Sequence, residues 1–252
     1  MPIVPCKPGP DGDTYNTDNY WLRYHPPERT RYTDPVPLFW SVGVDLGSVN
    51  DSTSICIVEV QQGFEVLEIH PHNTAPQEIK RTPDLHYLVR LMHRPKLGVS
   101  YPTIVNQVQS IMEDLPQLPQ KSILLFDGTG LGQPVVQMAR KQGLNVTSVA
   151  ITAGQVASIS GRDWSVPKAL LVGELRLAMH RNRVKVAEGF SARETLRDEL
   201  FAFTARLSPS GRATFEAAAS EHDDTVISLA FCIFGAKQRF GGVVRVVPIT
   251  GF

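Results

Sequence analysis

Residues 41–70 read as three strands in succession, and residues 102–151 as helices and strands in alternation. That order leaves few ways to build one sheet, because consecutive strands tend to pair with each other and strand–helix–strand units add parallel strands. SVGVDL (41–46) is a short apolar run closing on an acid. STSICIVEV (52–60) and FEVLEIH (64–70) alternate apolar with polar residues, the period of half-buried strands. The short link Gln61-Gln62-Gly63 predicts a hairpin, with those two strands antiparallel. Residues 73–99 read as irregular, with a short helix around Leu85 to Met92. Pro102 at a first-turn position and Ile104, Val105, Val108, Ile111, Met112 and Leu115 at helical spacing predict an amphipathic helix.

SILLFD (122–127) is a continuous apolar run ending in Asp127, the pattern of a buried strand. A helix over Gln133 to Lys141 closed by Gly143 and a strand over 145–151 (NVTSVAI) follow. Ser165 and Pro167 open a helix carrying Leu170, Leu171, Leu175 and Ala178. Ser191 and Glu194 form a capping box for another, 213–217 (ATFEA) is strand-like, and a last helix runs from Asp223 to Ala236. The expected fold class is α/β: a mixed five-stranded sheet, three antiparallel strands and then alternating strand and helix, flanked by helices. A ribonuclease H-like fold has that order. Residues 1–38, rich in Pro, Asp, Tyr and Arg, are expected to form an irregular arm, and residues 39–252 one domain with a C-terminal tail.

Composition removes several classes. Twenty-five Lys and Arg balance 25 Asp and Glu, which excludes a uniformly basic nucleic-acid coat and leaves local basic patches. Cys6, Cys56 and Cys232 show no paired spacing, so neither a disulfide framework nor a cysteine zinc site is expected. The longest apolar run, Val226 to Ala236, is too short to span a membrane, and no secretory leader pattern opens the chain. A cytoplasmic setting without membrane partners is the expectation.

Four carboxylates stand out by position: Asp45 at the end of the first strand, Asp127 at the end of the fourth, and Asp223 and Asp224 at the start of the last helix. In a sheet of the expected order the first and fourth strands lie side by side, which puts their terminal acids at one sheet end. Taken singly, each acid also suits a turn or a helix start. Taken together, like charges this close repel, and a divalent cation relieves the repulsion. Oxygen donors without a His or Cys pattern favour Mg²⁺ or Mn²⁺, and two such ions about 3.5–4 Å apart suit phosphodiester cleavage.

EHDDTVISLAFCIF (221–234) resembles the His-Asp-Asp motif that opens the last helix in the nuclease domain of phage large terminase subunits. VPKALLVGELRLAMHRNRVKVAEG (166–189) is similar to that family's stretch of helix, basic turn and short strand. GVDLGSVNDST and LLFDGTGLGQPVV resemble its two acidic strands, and the likeness extends over residues 41–237. The resemblance implies a metal-dependent endonuclease acting on double-stranded DNA during packaging. It implies Asp45, Asp127, Asp223 and Asp224 as ligands of two Mg²⁺ or Mn²⁺ ions, and Asp51 as an auxiliary ligand. Adjacent helical residues point about 100° apart, so one of Asp223 and Asp224 is expected to bind directly.

His222, Lys168, Arg176, Arg181, Arg183 and Lys185 are candidate DNA contacts, with Lys237, Arg239 and Arg245 in the tail. No G-x-x-x-x-G-K-[ST] occurs, so the chain departs from a full large subunit with its ATPase motor. A separate packaging ATPase, a small terminase subunit or a portal would then be its partners in a phage- or prophage-carrying bacterial host. Four other readings compete. DLGSVNDST and DGTGLG are superficially like the phosphate loops of sugar-kinase and actin-type nucleotide-binding proteins, which need two such domains. A dinucleotide site on Gly128, Gly130 and Gly132 has the wrong spacing. A non-catalytic DNA-binding or assembly module and a Holliday-junction resolvase share the fold.

Overall fold

The computed structural model describes residues 29–32, 34–47, 51–69, 77–187, 190, 192–205 and 223–240. The arm up to residue 28, Ser191 of the capping box, the strand at 213–217, His222 and the tail beyond residue 240 lie outside the described residues. Among the described residues there are nine strands: β1 (Arg29–Tyr32), β2 (Val36–Asp45), β3 (Ser54–Ile69), β4 (Gln77–His93), β5 (Ile123–Asp127), β6 (Val146–Thr152), β7 (Ser158–Ser160), β8 (Asp163–Pro167) and β9 (Val184–Val186). The helices among them are α1 (Tyr101–Asp114), α2 (Gly132–Lys141), α3 (Lys168–His180), α4 (Arg193–Ala205) and α5 (Asp224–Phe240).

The sheet runs β7-β8-β6-β5-β2-β3-β4-β9, with β1 paired to β3 off that path. β2, β5, β6 and β8 are parallel neighbours, whereas β7 runs antiparallel to β8. This is a mixed α/β sheet, as expected. Of the five anticipated strands, 41–46, 122–127 and 145–151 are β2, β5 and β6, and 52–60 and 64–70 are both parts of β3. The sheet is wider than expected because β1, β4, β7, β8 and β9 extend it. β1, β7 and β9 are short, and Ser158–Ser160 is exposed throughout, so no apolar run announces them.

Three local expectations are corrected. Residues 52–70 do not form a hairpin: β3 is one strand that passes through Gln61-Gln62-Gly63. Gly63 has no positive φ, so the residues that mimic a turn stay extended in a long ladder. Residues 85–92 are not helical but belong to β4. Leu85, Tyr87 and Val89 are all buried, a period of two that wins over the isolated helical spacing. Arg29–Tyr32, expected to be irregular, is a strand.

The chain divides into two compact units, residues 1–36 with 62–84 and residues 37–61 with 85–252. In the first, β1 lies antiparallel on β3, with Arg29 opposite Glu68 and Tyr32 opposite Glu65. In the second, alternate strand residues feed two cores, one on each sheet face. Trp40, Val42, Val44, Ile55, Ile57, Leu124 and Phe126 pack with Val105 and Val108 of α1 and Val135, Val136 and Ala139 of α2. Phe39, Cys56, Val58, Leu125 and Val149 pack on the opposite face with α3, α4 and α5. Every residue of α5 from Asp224 to Ala236 is buried, which its largely apolar sequence allows, with Asp224, Thr225 and Ser228 as its buried polar groups. No helix among the described residues is long and apolar enough to cross a membrane.

Candidate active site

The position of the acids follows from strand register. Val44 pairs with Phe126 in the parallel β2–β5 ladder, so Asp45 and Asp127 form the next step, on strands about 4.8 Å apart. Val44 and Phe126 belong to the core under α1 and α2. Alternation therefore sends Asp45 and Asp127 to the other face, where α5 lies.

The path of α5 brings the remaining acids to that place. Arg239 lies over the Phe39 ring at 4.7 Å, Ser41 Oγ donates to the Cys232 carbonyl at 2.9 Å, and a Cβ on Gly43 would sit 3.1 Å from that of Phe231. Ser54 Oγ and Ser228 Oγ are hydrogen-bonded at 2.9 Å on β3. The helix thus descends as β2 rises. One helical turn of about 5.4 Å matches two strand residues of about 6.6 Å, so the helix start falls beside the strand end. Asp223 and Asp224 are carried to Asp45 by this match. The close approach needs small residues, and Gly43 and Ser228 supply them at the contact.

Electrostatics at Asp45 record the result. Its carboxyl is held well above the usual carboxylate range, first by burial, then by the charges of Asp127, Asp224 and Asp223, with Lys168 partly offsetting them. Asp127 is also raised by burial, opposed by hydrogen bonds from Thr129. The Thr129 backbone N–H donates to Asp127 Oδ1 at 2.8 Å, and Thr129 Oγ1 accepts from the Ile151 N–H at 2.9 Å. The Gly-rich turn after β5 is therefore tied to β6 and holds Asp127 in one orientation.

Two cations answer the acids on α5. Lys168, the first residue of α3, pairs with Asp223 at 2.6 Å. Arg94, just past β4, pairs with Asp224 at 3.1 Å and with Glu199 of α4 at 3.2 Å. No hydrogen bond or ion pair among the described residues ends on the Asp45 carboxylate. Among the described residues no group of three or more His, Cys, Asp or Glu side chains is arranged so that it could hold a metal ion. The donor set still fits a hard divalent cation: four oxygen-donor side chains from three elements repel one another across Asp45, and the protein's own cations offset only part of that charge.

The structure brings Asp45, Asp127, Asp223, Asp224 and Lys168 together. Asp51 is not among the charges acting on Asp45; it lines a neighbouring pocket of about 220 Å³ with Gly47, Thr53, Lys96, Ser100 and Tyr101. The other basic candidates sit elsewhere. Arg176 is exposed midway along α3. Arg181, Arg183 and Lys185 follow its C-terminal end, about 18 Å along the helix axis from Lys168. Lys185 donates to Asn182 Oδ1 at 2.6 Å, and Lys237 pairs with Glu174 at 2.6 Å. Sequence reasoning missed Arg94 and Glu199, whose only signal is charge next to an element end or within a polar helix.

The raised Asp45 carboxyl has a consequence for stability. In the unfolded chain it titrates near the ordinary value of about 3.9. The folded state holds the proton more tightly, so folding stability falls as pH rises from that value through the higher folded one. Asp45→Asn removes this penalty. In urea denaturation of the metal-free protein, the variant is expected to be more stable than the wild type at pH 7. The gap should close as pH falls toward 4; a gap independent of pH would contradict repulsion at Asp45.

No family model matches this chain, and no curated protein is similar to it. Among solved structures, the crystal structure of the large terminase nuclease from thermophilic phage G20c is similar at a TM-score of 0.47 and 19% identity, over 79% of this chain and 81% of that one.

Proposed function

We propose that the protein is a divalent-metal-dependent endonuclease that hydrolyses phosphodiester bonds of double-stranded DNA, a nuclease of the terminase type. The observation that carries this reading is the meeting of Asp45, Asp127, Asp223 and Asp224 at one sheet end, where burial and then the charges of the other three raise the Asp45 carboxyl. Asp45, Asp127 and the α5 pair are the groups that would hold two Mg²⁺ or Mn²⁺ ions. Such ions supply Lewis-acid stabilisation of the phosphate and an activated water. Around them, Thr129 fixes the Asp127 carboxylate, and Lys168, now bonded to Asp223, would meet a phosphate on leaving it. A separate packaging ATPase, a small terminase subunit or a portal would deliver the DNA.

Supercoiled plasmid incubated with the protein and Mn²⁺ or Mg²⁺ is expected to become nicked and then linear, and to stay intact in EDTA. Intact plasmid with both metals would overturn the reading in favour of a non-catalytic DNA-binding or assembly module. ATP binding in the same samples would point to a nucleotide-binding protein instead.

A further inference from the structure

We infer that Arg94 and Glu199 are positioning residues that hold Asp224 toward Asp45 and so set how tightly the site takes a divalent cation. This rests on the nuclease reading above and extends it to two residues outside the acid cluster.

Three elements meet at this clamp. Arg94 Nη1 donates to Glu199 Oε1 at 3.2 Å, and Nη2 donates to Asp224 Oδ2 at 3.1 Å. The other Glu199 oxygen accepts from the Thr225 backbone N–H at 3.0 Å and from the Thr225 hydroxyl. Thr225 lies in the first turn of α5, whose N–H groups have no partner within the helix. Glu199 therefore caps α5 from α4, and Arg94 ties the capping carboxylate to Asp224. The side chains are 27%, 10% and 13% exposed for Arg94, Glu199 and Asp224, so solvent weakens these bonds little.

The chemistry fits positioning rather than ligation. Both Glu199 oxygens are engaged, and Glu199 is not among the charges acting on Asp45. Arg94 shares one positive charge between two carboxylates, Glu199 and Asp224. Its planar fork fixes both acids at once, a geometry a lysine ammonium cannot reproduce. Lys168 on Asp223 contrasts with this: a single ammonium on a flexible stem, easily exchanged.

The test is Mn²⁺ binding by calorimetry on the full chain, with melting curves of the metal-free protein, for wild type, Glu199→Ala and Arg94→Lys. Both variants are expected to bind Mn²⁺ about tenfold more weakly, as loss of groups that orient ligands does. The double variant should be little worse than either single one, because the two residues act as a unit. Arg94→Lys keeps the charge, so it carries the test even if Glu199→Ala fails to fold. Unchanged or tighter Mn²⁺ binding by Arg94→Lys, with or without a lower melting point, would overturn the inference and leave a structural ion pair. Wild-type protein that binds no Mn²⁺ would overturn the nuclease reading itself, and this role with it.

Discussion

Asp45→Asn is expected to lower Mn²⁺-dependent plasmid cleavage at least about a hundredfold, a loss of roughly 2.7 kcal/mol of transition-state stabilisation. Asp45 occupies the centre of the acid cluster: the charges of Asp127, Asp224 and Asp223 all act on it. Asparagine keeps its size and one carbonyl oxygen but not the charge that attracts a cation. The same substitution should change the response to metal without DNA. Mn²⁺ at about 100 times its dissociation constant adds roughly 2.7 kcal/mol to a protein that binds it only when folded. For a chain of this length that corresponds to a melting-point rise of about 5–10 °C. The rise is expected in the wild type and not in the variant. A variant that cuts plasmid at the wild-type rate would remove Asp45 from the mechanism.

The second large effect is on the fold. Gly43→Ala is expected to cost about 3 kcal/mol, near the upper end for overpacking, and to lower the melting point by about 6–12 °C. The added Cβ would press into the Ser228 carbonyl oxygen, with Cys232 Sγ at 3.0 Å and the Phe231 Cβ at 3.1 Å. The obstacle is helix backbone, so α5 as a whole must lift from β2. That lift starts where the helix brings Asp224 to Asp45, and cleavage should fall with stability. Gly173→Ala in α3 is the contrasting case. Nothing lies within 4 Å of its added methyl, so the change should stabilise the helix by up to about 1 kcal/mol. Equal melting points for the two variants would mean that α5 does not need its close seat on β2.

Much of this site is legible in residue order. Asp45 and Asp127 each end an apolar run, and neighbouring parallel strands with matched ends can only place such acids together. The stretch after Asp223 reads as a helix with Val226, Ile227, Leu229, Ala230 and Ile233 on one buried side, and the structure buries that helix on every side. What misled was local mimicry. Gln61-Gln62-Gly63 has turn composition but lies inside β3, because a long ladder stabilises the extended state over the turn. Leu85 to Met92 allows two periods, and pairing in the sheet selected the strand.

The basic residues show the limit most plainly. Lys168, Arg176, Arg181, Arg183 and Lys185 are close in sequence, yet α3 carries Lys168 to the acids and the others away from them. Arg94 reaches partners 105 and 130 residues distant, and no spacing in the chain marks that relation. Local period and residue type were enough for β2, β5 and β6, for the five helices and for the acids at their ends. The counter-charges, the cap on α5 and the order of charges around Asp45 came from packing helices α3, α4 and α5 on one sheet face. Ion pairs between distant segments depend on that packing alone, since Coulomb interactions follow distance in space and not separation along the chain.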